Sequence, residues 1–296
     1  MKIYVERIED LPVIVNHGGA GSWGQPDPRI DGILRSSAFQ GLNRSREDPV
    51  EAVVEAVEVL EDTCLLNAGK GSSLDYYGGI SMDAGVMDGA HMDYGAVSNV
   101  SYPLHPIRLA FIVLRETAHT FLTGWGADIL AARKGLAPHP GPCRDRVEKW
   151  IKAREHGMPS YLKANEKFLK RDTVGAVIVT DDNAVAAVST GGLMLKMPGR
   201  VGDSPLVGGG FYSTGKTGVV ATGIGEYISR FLLSYRIAIA YEDSAVNGVK
   251  KVFANFTDLF GAGSAGFILA SADGVVIAAY NTEYMPWKVC SEKRCI

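Results

Sequence analysis

The sequence predicts a layered α+β protein. The later part of the chain reads strand, strand, helix, helix, strand, strand, an order that favours sheets covered by helices over alternating parallel units. Apolar residues make up 46% of the 296, enough for a sizeable core. No solenoid-length repeat or low-complexity tract competes with that reading.

The elements follow in order. Residues 12–16, Pro-Val-Ile-Val-Asn, form a β-rich run that ends in the glycine cluster His17-Gly18-Gly19-Ala20-Gly21, as a buried strand feeding a tight turn would. Residues 49–63 predict a helix. Asp48 is placed to cap it, Pro49 suits its first turn, and Val53, Ala56, Val57 and Leu60 share one stripe. Residues 106–117 and 127–135 predict two more helices. Residues 144–171 are crowded with Lys, Arg and Glu, are interrupted by Gly157 and Pro159, and read as a solvated connector. Next come two strand-like runs, 173–180 and 184–190, around Asp181-Asp182-Asn183, which is a hairpin signal. Helical stretches at 224–241 and 244–260 precede a second hairpin, 266–272 and 275–280, turning at Asp273-Gly274.

Composition narrows the function. With 33 acidic and 30 basic residues, the formal charge of −3 lacks the basic excess that drives nucleic-acid binding, so small molecules or peptides are the expected partners. The most apolar stretch, 231–241, is broken by Ser234, Tyr235 and Arg236, too soon to span a bilayer. The charged start Met1-Lys2-Ile3-Tyr4-Val5-Glu6-Arg7 does not read as a secretory signal, and a cytoplasmic protein is expected. Cys64, Cys143, Cys290 and Cys295 have no zinc spacing and are expected as free thiols, with a Cys290–Cys295 bridge as the alternative.

Two motifs mislead. Gly19-Ala20-Gly21-Ser22-Trp23-Gly24 has the dinucleotide-binding spacing, but Gln25-Pro26-Asp27-Pro28 cannot continue a helix opened at those glycines. Asn67-Ala68-Gly69-Lys70-Gly71-Ser72 resembles a phosphate loop, yet Gly71 interrupts the required Gly-Lys-Ser/Thr. There is no Gly-x-Ser-x-Gly, and the six histidines are dispersed. What stands out is a density of Thr, Gly, Arg and Asp after the charged segment: Asp172-Thr173-Val174-Gly175, Ser189-Thr190-Gly191-Gly192, residues 199–205 (Gly-Arg-Val-Gly-Asp-Ser-Pro) and Ala221-Thr222-Gly223-Ile224-Gly225-Glu226. Glycines at such positions let main-chain N–H groups approach a ligand closely.

Taken together these motifs resemble the plant-type asparaginase, isoaspartyl peptidase and glycosylasparaginase family of threonine N-terminal-nucleophile hydrolases. Earlier motifs agree: His-Gly-Gly-Ala-Gly at 17–21, Asn-Ala-Gly-x-Gly at 67–71, Met-Asp-Ala followed by Val-Met-Asp-Gly at 82–89, and Gly-Ala-Val with a following Pro-Ile at 95–107. The resemblance implies a four-layer αββα sandwich. It implies a precursor that cuts itself between Asp172 and Thr173, giving residues 1–172 and 173–296, which together form one structural domain. Two positions depart from the family pattern. Asp172 stands where asparaginases usually carry glycine, so Asp-Thr is similar to glycosylasparaginase and taspase instead, and Tyr284 stands where many members have glycine before Met285.

Roles carried over by resemblance are as follows. Thr173 is the nucleophile, Thr190 tunes it, and Thr222 and Gly223 form the oxyanion hole. Arg200 receives the substrate α-carboxylate, Asp203 the α-ammonium, and Gly225 contributes a carbonyl. A structural sodium is implied on the carbonyls of Leu60, Glu61, Thr63, Leu66, Ala68 and Lys70, with no cofactor for catalysis and a homodimer of cleaved units. The expected reaction is hydrolysis of asparagine or β-aspartyl peptides. A glycosylasparaginase-like amidase, a taspase-like protease and a catalytically silent binding protein remain as alternatives.

Overall fold

The computed structural model describes residues 1–23, 27–156 and 173–296. Among the described residues, twelve strands form two sheets. The seven-stranded sheet runs β12 (Trp287–Ser291), β2 (Val13–His17), β6 (Val174–Val179), β7 (Ala184–Thr190), β3 (Met82–Asp88), β4 (Asp93–Val100), β5 (Phe121–Thr123). The five-stranded sheet runs β1 (Lys2–Arg7), β11 (Val275–Tyr280), β10 (Ala265–Ser271), β9 (Thr217–Gly223), β8 (Phe211–Ser213).

The central strands are buried along their whole length, so they require cover on both faces. Alternating side chains supply two different cores. On β6, Val174, Ala176 and Ile178 face the helices, whereas Val177 and Val179 face the other sheet. On β10, Ile268 and Ala270 join that inter-sheet core, while Phe267 and Leu269 pack outward beneath α6 (Gly225–Phe231) and α7 (Leu233–Phe260). The outer face of the larger sheet is covered by α1 (Pro28–Arg44), α2 (Pro49–Glu61) and α3 (Pro106–Glu116). The layers are therefore helix, sheet, sheet, helix, as the family resemblance implies.

Both expected hairpins form, with Val174 opposite Ser189 and Gly266 opposite Tyr280. Asp48 caps α2 by accepting from the N–H groups of Val50 and Glu51, at 3.0 and 3.1 Å. The last helix, α7, runs on through a kink at Ser244 and Ala245, close to the expected break.

Two expectations are corrected, and one helix was missed. Residues 144–156, read as solvated connector, form helix α5 (Arg144–His156), held down by Trp150, whose indole donates to Asp75 O at 2.7 Å, and by buried Arg146. Its charge masked these anchors. The cysteines are not free: Cys64 pairs with Cys143, and Cys290 with Cys295. The first pair is 79 residues apart in sequence, so only the folded chain brings it together. Helix α1 went unread although Asp27-Pro28 repeats the cap-and-proline start of Asp48-Pro49; Asp27 accepts from Arg29 N–H at 2.9 Å. Gly24, Gln25 and Pro26 lie outside the described residues, as do 157–172.

Candidate active site

The antiparallel pairing of β6 and β7 places Thr173, one residue before β6, beside Thr190 at the end of β7. Their hydroxyls meet at 3.2 Å, with Thr173 Oγ1 donating. Both are buried, at 6% and 3% exposure. Thr190 Oγ1 also accepts from Gly192 N–H at 3.0 Å.

The second sheet contributes β9. Gly175 on β6 and Gly218 on β9 lack the Cβ that would lie 2.4 Å from Val220 and 2.5 Å from Val177, so the two sheets approach closely here. The end of β9 then reaches the threonine pair. Thr222 is fully buried, and its Oγ1 accepts from Ala20 N–H at 3.2 Å, which ties it to the glycine turn after β2. Gly223 has φ 145°, a value that disfavours any side chain, and a Cβ would sit 2.3 Å from Ser264 O.

Thr173, Thr190, Arg200, Asp203, Gly223 and Gly225 all line one narrow cleft, with Gly192, Leu193, Gly202 and Ser204. Thr222, next to Gly223, is buried and does not line it. Asp172 lies outside the described residues.

The charges in the cleft are arranged unevenly. Arg200 does not pair with Asp203. Its Nε and Nη2 grip Glu226 bidentately at 2.9 and 3.0 Å, from the first turn of α6. Asp203 is 4% exposed and its Oδ2 has no hydrogen-bond partner. Burial raises its pKa to about 7, and the nearby Arg200 only partly offsets this. Gly225 sits between the two groups: a Cβ there would be 2.9 Å from both Arg200 Nη2 and Asp203 Oδ1. Its carbonyl accepts the Ser229 hydroxyl at 2.8 Å within α6.

Several side chains that sequence reading gave no role surround this group. His17 is wholly buried with Nδ1 accepting from Gly19 N–H at 3.1 Å, so its proton sits on Nε2, which faces the Thr173 main chain. Burial lowers its pKa to about 3, which keeps the ring neutral. Asp83 on β3 holds Asn99 N–H at 2.9 Å and Gly202 N–H at 3.4 Å, bracing the Arg200–Asp203 turn. Glu61, fully buried, accepts from Ser189 Oγ at 2.5 Å and from Ile107 N–H at 3.2 Å, and meets His105 Nδ1 at 3.1 Å. Its pKa is raised by burial, with His105 opposing. The Asp83 contact falls inside a motif read only as a pattern, and the Glu61 side chain lay hidden behind its main-chain assignment.

The loop of residues 60–70 turns carbonyls inward. A Cβ on Gly71 would lie 2.1 Å from Leu66 O and 2.5 Å from Thr63 O, and one on Gly69 would lie 2.8 Å from Glu61 O. Such uncharged oxygens fit a hard cation. The Ala68 carbonyl is already taken by Gly71 N–H at 3.0 Å. Among the described residues, no group of three His, Cys, Asp or Glu side chains is placed to hold a metal, and no helix is long and apolar enough to cross a membrane.

A buried threonine pair thus lies at the junction of two helix-covered sheets, beside an arginine and an aspartate whose Oδ2 has no hydrogen-bond partner. Comparison with known proteins places the chain more closely. The asparaginase family model matches residues 10–295, and the chain belongs to that family. Similar proteins include the plant-type L-asparaginase of Pyrobaculum calidifontis, 38% identical over 285 residues, covering 93% of this chain and 95% of that protein. That of Thermococcus kodakarensis is 34% identical over 292 residues, covering 94% and 95%. The isoaspartyl peptidase/L-asparaginase of Homo sapiens is 35% identical over 291 residues, covering 95% and 94%.

Proposed function

We propose that this chain cuts itself between Asp172 and Thr173 and then hydrolyses L-asparagine or β-aspartyl peptides, releasing aspartate through an acyl-enzyme on Thr173. The observation that carries this reading is the Thr173–Thr190 contact at 3.2 Å, set at the edge of a cleft that holds Arg200 and Asp203, whose Oδ2 has no hydrogen-bond partner. A hydroxyl is a poor nucleophile until a base takes its proton. An internal Thr173 has no amine, whereas cleavage gives it one with an ordinary pKa of about 7.7–8.0, suited to act as base near neutral pH.

In the mature enzyme the Thr173 hydroxyl attacks the substrate carbonyl and passes its proton to its own amine. The carbonyl oxygen, now negative, is received by the Thr222 hydroxyl and Gly223 N–H, donors of a kind worth about 3 kcal/mol each in a transition state. The amine returns the proton to the leaving ammonia or peptide amine, and water then releases aspartate. Arg200 takes the substrate α-carboxylate, in exchange for Glu226, and Asp203 takes the α-ammonium. The pairing of Asp203 with a free α-ammonium favours this reading over a taspase-like protease.

The carbonyls of Leu60, Glu61, Thr63, Leu66, Ala68 and Lys70 would hold a sodium ion as a structural support. Two copies of the cleaved unit associate as a homodimer, a reading supported by exposed Leu232 and Tyr235 beside Gly208.

Mass spectrometry and N-terminal sequencing test the self-cleavage: an active preparation contains a fragment beginning at Thr173. Thr173→Ala abolishes both cleavage and hydrolysis, and Thr173→Ser retains part of each. Product analysis on asparagine, a β-aspartyl dipeptide and glycosylasparagine separates the alternatives. Hydrolysis by an intact chain, or by Thr173→Ala, would overturn the mechanism.

A further inference from the structure

Lys196 has no part in the mechanism above, yet it is among the most deeply buried side chains in the protein, at 1% exposure. Its ammonium donates to two main-chain carbonyls, Ser81 O at 2.6 Å and Gly191 O at 2.9 Å. Burial of an alkylammonium is costly unless its N–H groups are satisfied. Among the described residues no carboxylate forms an ion pair with it; Asp83 and Asp75 act on it only at longer range, against Arg200. Burial lowers its pKa to about 8. An apolar side chain of similar length would fill the same space without that desolvation cost. What the ammonium adds is therefore its grip on the two carbonyls.

One of those carbonyls belongs to the peptide unit that serves Thr190. The Gly191 C=O and the Gly192 N–H lie in a single planar amide and point in opposite directions, so fixing one aims the other. Lys196 holds the oxygen, and the opposite N–H donates to Thr190 Oγ1 at 3.0 Å, the same atom that Thr173 Oγ1 meets at 3.2 Å. A cation on the carbonyl also polarises the amide and strengthens its N–H as a donor. The fit is close: a Cβ on Gly192, where φ is 70°, would lie 2.6 Å from Lys196 Nζ. Gly191 N–H is anchored separately on Asn67 O at 2.9 Å, so the turn is held on both sides.

We propose that Lys196 is a positioning residue for the nucleophile, gripping the Gly191 carbonyl so that the N–H of the same peptide unit is aimed at, and polarised toward, Thr190 Oγ1. This rests on the roles of Thr173 and Thr190 given above. It acts on the chemical step and not on substrate charge, which Arg200 and Asp203 read.

The test compares the unsubstituted protein with Lys196→Met, which fills the space without a donor, and Lys196→Gln, which keeps an N–H donor on a shorter side chain. For each, kcat and KM on a β-aspartyl dipeptide are measured per mole of amino-terminal Thr173, alongside thermal melting. The expected result is a loss of about tenfold or more in kcat for Lys196→Met with KM nearly unchanged, the pattern of an interaction made mainly in the transition state. Lys196→Gln regains part of that loss. A folded Lys196→Met with full kcat overturns the proposal, as does a rise in KM at constant kcat or a Lys196→Gln no better than Lys196→Met. Where Lys196→Met does not fold, Lys196→Gln decides: reduced kcat at constant KM supports the proposal and unchanged kcat overturns it. Absence of turnover by the unsubstituted protein is a failure of the functional reading instead; failure of this proposal shows only as a variant that matches an active parent.

Discussion

On the proposed reading, Asp203 is the residue at which substrate recognition and folding stability oppose each other most directly. Its carboxyl is buried beside Arg200, whose guanidinium is already committed to Glu226, and its pKa stands at about 7 against an ordinary 3.8. The folded protein thus keeps a proton that the unfolded chain releases near pH 4. A raised folded pKa contributes stability that is fully present below about pH 4 and lost as pH rises through about 7. The shift corresponds to roughly 4 kcal/mol as an upper bound, at about 1.4 kcal/mol per unit. Asp203→Asn is therefore expected to melt close to the unsubstituted protein at pH 4 and well above it at pH 8, in the absence of substrate. Calorimetry at the two pH values checks this, and an equal shift at both would mean that the buried carboxyl holds no such cost. On the proposed reading a substrate ammonium supplies the missing partner, so the same substitution should weaken kcat/KM strongly for a β-aspartyl peptide and far less for an analogue without its α-amino group.

At the scale of elements, the end of β7 is fixed by side chains from outside its sheet. Glu61, the last residue of α2, takes the Ser189 hydroxyl beside Thr190 and the Ile107 N–H at the start of α3, and His105 steadies it. Glu61→Ala leaves both donors buried and unpaired and opens a cavity, which is expected to cost about 3 kcal/mol. Ser189→Ala removes one donor from a carboxylate that keeps two other partners, and is expected to cost about 1 kcal/mol. Urea unfolding of the two variants measures the difference, and equal losses would show that Glu61 is not the hub. None of this was legible in sequence, because Glu61 and Ser189 lie on separate elements and meet only through packing. The two hairpins, α2 and the kinked last helix were legible, since turn residues, caps and periodicity are local. Strands β3 and β9 were not read as strands: Met-Asp-Ala-Gly and Ala-Thr-Gly carry small and polar residues whose function is close approach. The edge strand β1 alternates between exposed and half-buried positions and carries too few apolar residues to stand out. The cleft residues from Thr173 to Gly225 were legible through resemblance alone. Lys196 and the Glu226 partner of Arg200 required coordinates, because neither contact follows from spacing.

The whole molecule is built so that a cut before Thr173 should not let it fall apart. Strands from residues 1–156 and from residues 173–296 alternate in space. In the larger sheet, β2 lies between β12 and β6, and β7 pairs with β3. In the smaller sheet, β1 pairs with β11. Each of these ladders joins chain from opposite sides of the cut, and the inter-sheet core draws Ile8, Val13 and Val15 from one side and Val177, Val220 and Ile268 from the other. Neither disulfide crosses the cut: Cys64–Cys143 lies before it and Cys290–Cys295 after it. Association of the fragments must then be wholly noncovalent, yet inseparable from the fold itself, because pulling one away would strip hydrogen bonds from both sheets. The cleaved protein is expected to elute from gel filtration with both fragments in equal amounts, in reducing and non-reducing buffer alike. It should also lose β-sheet circular dichroism and fragment association together in one urea transition, as a cooperative unit does. Two bands should appear on a denaturing gel even without reductant. Dissociation of one fragment while the other keeps its sheet signal would mean that the two halves fold as separate units, and the interleaved ladders would then contribute little to holding the enzyme together.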